Sequence, residues 1–347
     1  MKGIYLYPIT SRNRTGVSNP YIERLAESLS GHYHIVNKSD PSDRGILDIV
    51  KFLRRTDILY LNWVENLPTR HMGILQTLFF FLLCGYCRIT GKKIVWTLHN
   101  KKSHSGDHRF LKNLLISFLL FRSNLVITHA EEGLDLIPGR TRKVCVPHPV
   151  GEIPPPGSSD PENGEREFDM IIWGTIAAYK GVDTFLSFLK EKGVLGNYRI
   201  VIAGKVAEPG LLHFLEDLAG SFDTLTLINR FIPDAELDDL IRRSGVVLFT
   251  YHAESVLSSG ALMDSLRHDS VILGPHTGAF TDLARAKMIR TFRDYHDLLS
   301  QVDLMKKKGY REQYRSELKQ SFLRENSWDR FYQKVSPHLS SLFAAKG

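Results

Sequence analysis

The run Met170-Ile171-Ile172-Trp173-Gly174-Thr175-Ile176-Ala177-Ala178-Tyr179-Lys180-Gly181 decides how this chain folds. Its first four residues are apolar without polar alternation, the pattern of a strand buried on both faces. Gly174 ends the run, and Lys180-Gly181 leads into an amphipathic segment over 182–190. Strand, loop and helix in that order form the unit of a parallel α/β sheet. Segment 93–100, ending in Trp96-Thr97-Leu98-His99-Asn100, does the same in the first half. Polar groups at the carboxyl end of a parallel strand stand where open α/β sheets bind ligands. Two such sites, one in each half, predict two successive α/β domains with a ligand held in a cleft.

Outward from these points the alternation continues. The first half predicts strands over 3–8, 33–37, 57–63, 93–100, 125–129 and 143–147. Its helices fall over 20–29, with Asn19 as N-cap and Pro20 at N1, and over 46–54, 74–89 and 110–121. The second half predicts strands over 169–174, 199–203, 225–228, 246–250, 271–273 and 288–291. Helices over 182–190, 211–218, 234–243 and 260–266 lie between them, and 294–343 reads as helical throughout. Pro154-Pro155-Pro156-Gly157-Ser158-Ser159-Asp160-Pro161 cannot pack as a core element and reads as a linker. The expected division is a first domain over 1–150, a linker over 151–168, a second domain over 169–325 and a C-terminal helix over 326–347.

The chain of 347 residues is long for one doubly wound domain and comfortable for two. Apolar content of 43% and charged content of 24% are those of a globular protein. The net charge of +7 is uneven. Residues 1–150 hold 21 Lys/Arg against 11 Asp/Glu, a surplus of +10, and the remainder holds 24 against 27, or −3. A basic first half implies an acidic partner: anionic lipid, a phosphate-bearing acceptor or nucleic acid. No nucleic-acid module is recognisable, so nucleic acid is not expected. Cys84, Cys87 and Cys145 are few and odd in number, as in a reducing cytoplasm. Cys84-Gly85-Tyr86-Cys87 has no second pair to complete a zinc site and reads as buried thiols. The segment over 74–89 is the most hydrophobic in the chain, yet short of the ~20 residues that span a bilayer. A buried helix is one reading. A helix on the membrane surface is the other, anchored by Arg70, Arg88, Lys92 and Lys93, with a second apolar helix ending in Arg122.

Several pieces of the second half suit an anion. Gly174 and Gly181 bracket a loop that opens into a helix, and Lys180 adds charge. Lys205 in Ala203-Gly204-Lys205 ends the next strand. Ser258-Ser259-Gly260-Ala261 offers hydroxyls and backbone N–H groups before another helix, and Asp264 stands one turn in, able to accept from a ribose hydroxyl. Gly274-Pro275-His276-Thr277-Gly278 closes a further strand end.

In these pieces the chain resembles the GT-B-fold glycosyltransferases that use nucleotide sugars, and among them the bacterial retaining-type (group 1) enzymes of polysaccharide biosynthesis. The resemblance covers nearly the whole chain. It implies an α/β fold of two Rossmann-like doubly wound parallel-sheet domains facing a cleft, with a helical C-terminal tail that crosses back to the first domain. The first domain is then the acceptor side and the second binds the nucleotide sugar. The family's Gly-x-x-x-x-x-Lys-Gly segment matches Gly174 to Lys180-Gly181, where the lysine grips the donor pyrophosphate. An arginine common in the family is replaced by Thr175 or a neighbour, leaving Lys180 and Lys205 as the charge pair. In the Glu-x7-Glu motif the second position matches Asp264. The first falls near Val256, with Glu254 out of register. Ser259 and Gly260 match the backbone that cups the phosphates.

In the first half Thr97-Leu98-His99-Asn100 matches the family's strand-end histidine, which faces the donor sugar. A His or Asn there can hydrogen-bond sugar hydroxyls or leaving-group oxygens. His104 and His129 fall on the same expected edge. The loop after the first strand contributes Gly16 and Asn19. Asn62-Trp63-Val64-Glu65-Asn66 ends the third strand, where Trp63 suits sugar stacking and Glu65 is an acceptor-side residue or base. A helix-capping cluster is the other reading of those residues. Catalytic roles thus fall to His99, Lys180 and Glu65. The donor is held by Gly174, Lys180, Gly181, Lys205, Glu254, Ser258, Ser259, Gly260, Ala261 and Asp264, and the acceptor by Gly16, Asn19, Trp63, Glu65, Asn100 and His104. No Asp-x-Asp stands at a strand end, since Asp238-Asp239 lies inside an expected helix. No metal and no cofactor beyond a UDP- or GDP-sugar co-substrate is therefore expected. The expected enzyme transfers a sugar to a saccharide or lipid-linked acceptor, in the cytoplasm or peripheral on the inner face of the plasma membrane. A sugar-nucleotide 2-epimerase on the same fold, and a non-catalytic nucleotide-sugar-binding protein, are the rivals.

Overall fold

The computed structural model describes residues 1–9, 20–39, 44–101, 108–151, 166–310 and 316–344. The chain divides into two compact units, Met1–Pro149 with Asn326–Gly347, and Val150–Glu325.

In the first unit the order is β1 (Gly3–Tyr7), α1 (Pro20–Ser30), β2 (His34–Ile35), a 3₁₀ helix (Gly45–Arg55), β3 (Ile58–Asn62) and a second 3₁₀ helix (Val64–Thr69). Then come α2 (Gly73–Ile89), β4 (Lys93–Leu98), α3 (Arg109–Arg122), β5 (Leu125–Thr128), α4 (Glu132–Leu136) and β6 (Lys143–Cys145). The six strands pair in parallel in the order β2-β1-β3-β4-β5-β6. Every residue of β1, β3 and β5 is buried, as a sheet covered on both faces requires. Alternation along β1 divides the work. Ile4 and Leu6 pack with Leu25 and Leu29 of α1, while Tyr5 meets Phe52 on the opposite side at 5.9 Å between ring centroids.

The second unit runs β7 (Phe168–Trp173), a 3₁₀ turn (Ala178–Lys180), α5 (Val182–Glu191), a 3₁₀ turn (Leu195–Asn197), β8 (Ile200–Ala203), α6 (Pro209–Ser221) and β9 (Leu225–Ile228). It continues through α7 (Asp234–Arg242), β10 (Ser244–Leu248), α8 (Gly260–Ser265), β11 (Val271–Pro275), α9 (Gly278–Arg285), β12 (Arg290–Phe292), α10 (Tyr295–Lys307) and α11 (Ser316–Glu325). Its sheet is also six-stranded and parallel, in the order β12-β11-β10-β7-β8-β9. The last helix, α12 (Trp328–Ser340), belongs to the first unit, where Phe331, Val335 and Leu339 join the α1 side of the core.

Three expectations change. The segment over 46–54 winds as 3₁₀ rather than α-helix. Its start is held by side chains, since Asp48 Oδ2 accepts from Arg44 N at 2.8 Å and Gln76 Oε1 from Ile46 N at 3.0 Å. The segment expected to be helical throughout, 294–343, is broken: its described residues form three helices, α10, α11 and α12, with non-helical residues at 308–310 and 326–327. Gly309 and Tyr310 adopt left-handed conformations after α10, and Ser327 caps α12 by accepting from Arg330 N. Phe168, at the end of the expected linker, is already the first residue of β7. The rest of that linker from 152 to 165 lies outside the described residues.

Each sheet has one place where the chain winds away in opposite directions, between β1 and β3 in the first and between β7 and β10 in the second. The carboxyl ends of those strand pairs are the crevices in which open α/β sheets bind ligands.

Candidate functional site

At the β7/β10 switch point the chain must turn tightly. Gly174 leaves β7 with φ 91°, a conformation that favours glycine. Gly204, with φ 146°, follows β8 and approaches so closely that a Cβ on it would lie 1.9 Å from Gly174 O. The crevice floor here is therefore bare backbone. Into it comes Lys180, whose side chain is buried and whose Nζ donates to Trp173 O at 3.3 Å. A Cβ built on Gly174 would meet that Nζ at 3.2 Å and the Ala261 side chain at 3.8 Å, so the ammonium and α8 flank the same glycine. The Tyr251 ring lies 5.6 Å from Nζ and stacks with Tyr179 at 5.8 Å and 14°. Tyr251 OH and Ser259 Oγ share a hydrogen bond of 2.9 Å, and Thr250 Oγ1 donates to Lys180 O at 2.6 Å. Trp173 Nε1 donates to Ser265 Oγ at 3.0 Å, tying β7 to α8.

Burial lowers the Lys180 ammonium to about 8, so it is still largely charged at neutral pH. A buried cation with one long bond to a carbonyl is poorly compensated, and an anion seated beside it relieves that cost. Ser258 Oγ adds a second incomplete group, buried with no hydrogen-bond partner among the described residues. Beyond Gly181, which is left-handed (φ 65°), α5 begins and contributes the unpaired N–H groups of its first turn.

The β1/β3 switch point is built otherwise. Asn62, fully buried at the end of β3, donates from Nδ2 to Tyr7 O at 3.2 Å. Its Oδ1 therefore faces His99 Nε2 at 3.0 Å, and His99 must carry its proton on Nε2. The Nδ1 lone pair of His99 is left to accept. Trp63, in a left-handed conformation (φ 47°), follows β3 and lays its indole on the His99 ring at 4.3 Å and 18°. Behind them Tyr21 OH lies 2.9 Å from His129 Nε2, and His129 Nδ1 donates to Val146 O at 2.8 Å, so the phenol is the donor. His148 Nδ1 donates to Pro149 O at 2.8 Å. Burial, then the neighbouring rings of His129 and His148, holds His99 well below the usual histidine range. Burial likewise brings His129 to about 3 and His148 to about 4. Among the described residues the three imidazoles of this edge are therefore neutral at neutral pH.

Glu65 lies in the 3₁₀ helix after Trp63 with 4% of its surface exposed, and its Oε2 has no partner among the described residues. Burial raises it to about 7, opposed by its own backbone hydrogen bond and by Lys112.

No protein-family model and no curated protein matches the sequence. Solved structures do match. Sucrose-phosphate synthase from Thermosynechococcus elongatus aligns over all of both chains with a TM-score of 0.69 at 12% identity. HepE from Anabaena, solved in complex with UDP and glucose, aligns over 98% of this chain and 100% of its own, with a TM-score of 0.66 at 13% identity. The pneumococcal O-GlcNAc transferase GtfA, in complex with UDP and GlcNAc, aligns over 89% of this chain and 62% of its own, at 0.55 and 14%. The fold is GT-B. At these identities the likeness is one of architecture.

Within this GT-B chain the expected residues fall into four groups. Gly174, Lys180, Ala261 and the cap Ser259 gather at the β7/β10 switch point, with Gly181, Ser258 and Gly260 in the same loops. Asp264 is half-buried in α8, and Lys205 and Glu254 are exposed on the loops after β8 and β10. In the first unit His99 comes to Asn62 and Trp63, and Asn100 follows half-buried. Gly16, Asn19 and His104 lie outside the described residues.

The left-handed turn at Trp63 places one indole face on His99. His129 stands directly after β5, on the expected edge, and offers no ring nitrogen to a ligand, because both are engaged and the ring is buried. Asn62, Tyr251 and Tyr179 are the contributors that sequence reasoning passed over. Asn62 and Tyr251 carry the signal that singled out His99, a polar side chain directly after an apolar strand run.

Proposed function

We propose that this protein is a glycosyltransferase that moves a sugar from a UDP- or GDP-sugar to a saccharide or lipid-linked acceptor in polysaccharide or glycolipid assembly. What supports this most is the buried Lys180 ammonium at the glycine-lined ends of β7 and β8, in a chain whose fold is GT-B throughout. In this reading the donor diphosphate rests on Gly174, Gly181, Lys180 and the Ser258–Ala261 backbone. Asp264 takes a ribose hydroxyl, and Lys205 and Glu254 close over the donor from their loops. The acceptor oxygen bonds to the anomeric carbon while the bond from that carbon to the β-phosphate oxygen breaks. The electron pair leaves with the nucleoside diphosphate. Lys180 meets that developing charge in a site where water is scarce, so no metal is called for. His99, neutral with Nδ1 free to accept, takes a hydrogen bond from a sugar hydroxyl. Glu65, raised to about 7 by burial, is the acceptor-side base. The protein works in the cytoplasm at the membrane surface, where a lipid-linked acceptor resides.

The test is a donor screen with UDP-, GDP-, ADP- and dTDP-sugars and a membrane lipid extract, reading released nucleoside diphosphate. Release with one donor, lost in Lys180→Ala, is the expected result. Failure to bind any of the nucleotides overturns the proposal.

A further inference from the structure

Helix α2 is apolar on both faces and buries only one. Phe80, Leu83, Cys84 and Cys87 turn inward. Ile74, Leu78, Leu82 and Ile89, spaced by four, four and seven residues, turn outward, and Leu82 and Ile89 stay 74% and 87% exposed. Helix α3 repeats the arrangement. Leu115 and Leu119 are buried, while Phe110 (78% exposed), Leu114 and Phe121 face out. The two helices meet through Phe81 and Phe118, perpendicular rings 4.9 Å apart, so the outer stripes adjoin. A soluble monomer rarely leaves so much contiguous apolar surface open.

The charge around this surface has one sign. Between positions 66 and 130 the chain holds nine Lys/Arg and a single acid, Asp107. Neither helix carries an acidic side chain; Arg88 ends α2, and Arg109 and Arg122 stand at the two ends of α3. Arg140 lies over the Phe121 ring at 4.7 Å and brings a further cation to the stripe. A second copy of the chain would bring like charge against like charge. An anionic bilayer offers the complement, phosphates for the arginines and acyl chains for the leucines. Among the described residues no helix is long and apolar enough to cross a membrane, so these helices would lie in its plane.

We propose that the outer faces of α2 and α3 form a docking surface for an anionic lipid bilayer, with the apolar stripes among the acyl chains and the arginines at the headgroups. The proposal deepens the membrane side of the function proposed above and needs no turnover to be tested. The experiment is co-sedimentation of the full chain with vesicles of phosphatidylcholine alone or mixed with phosphatidylglycerol. Binding is expected on the anionic vesicles, weakened by salt. The double variant Leu78→Glu/Leu82→Glu is expected to lower that binding ~100-fold or more, with an unchanged melting temperature because both side chains are exposed. Arg88→Gln/Arg122→Gln is expected to lower it ~10-fold. Three results overturn the proposal: no binding of the wild type to anionic vesicles, wild-type binding by the leucine variant, or a wild-type dimer in solution that the leucine variant abolishes. Nucleotide binding measured without vesicles reports separately on the glycosyltransferase reading.

Discussion

The carboxyl edges of the two sheets share one architecture and differ in chemistry. At the first, between β1 and β3, three histidines, Tyr21 and Trp63 fill the space with neutral rings. At the second, between β7 and β10, glycines leave the backbone bare and a buried ammonium stands beside it. A switch point thus provides a place, and the residue types arriving there decide what it can hold. A neutral, hydrogen-bonding edge suits sugar hydroxyls, and a cationic, glycine-lined edge suits phosphate.

The sharpest way to separate the two edges is acid. His99, His129 and His148 are held neutral in the fold below the unfolded value of 6.5. The unfolded chain takes up those protons first, so stability is present above pH 6.5 and is lost as pH falls below it. Three such groups contribute a slope of about 4 kcal/mol per pH unit near pH 5, opposed by about 1.4 from Glu65, whose raised value makes the fold hold the extra proton there. Urea unfolding around that pH should show the net rise, and His129→Gln should lower the slope by about 1.4 kcal/mol per pH unit. The second edge titrates at the other end. Its Lys180, at about 8 against 10.5 when unfolded, makes stability rise with pH between those values, because the unfolded chain holds the extra proton. Donor affinity should move the opposite way, falling as pH passes about 8 and Lys180 loses its charge. A profile without that break removes Lys180 from the phosphate site.

Substitutions come next in size. Lys180→Ala should cut donor turnover ~10²–10³-fold, the usual cost of one transition-state donor. Lys180→Met should cut turnover equally while leaving the melting temperature the same or higher, since an underpaired buried charge has been replaced by an apolar chain. Gly204→Ala should destabilise the fold by about 2–3 kcal/mol in urea, from its φ of 146° and the 1.9 Å approach to Gly174 O. The smallest effect is expected at the first edge. Asn62→Leu leaves the His99 Nε2–H without its partner, costing about 1–2 kcal/mol. It also frees the ring to change tautomer, which ¹⁵N chemical shifts of the imidazole would register. An unchanged tautomer would mean that the Asn62 bond does not set it.

Much of the fold was readable along the chain. Short apolar runs closed by a glycine, such as Ile171–Trp173 before Gly174, fit strands covered on both faces, and the helix signals between them favour parallel pairing. The errors fell where distant groups overrode local preference. Gln76, in α2, reaches back to cap the start of the segment over 46–54, and that segment winds as 3₁₀. The candidate site was readable as positions but not as states. Gly174, Lys180 and His99 announce themselves as strand-end residues. That Lys180 is buried on Tyr251 and that His99 is pinned by Asn62 depends on partners 71 and 37 positions away.

The sequence by itself therefore determined the two parallel sheets, the strand ends that bear chemistry and the basic character of the first half, because strand pattern, glycine placement and charge are properties of neighbouring residues. The tertiary structure alone decided which of those groups are dry, which histidine nitrogen bears the proton, and that α2 and α3 keep an apolar face uncovered. Burial, pKa and tautomer are set by what lies across space, and that contact list exists only once the chain has folded.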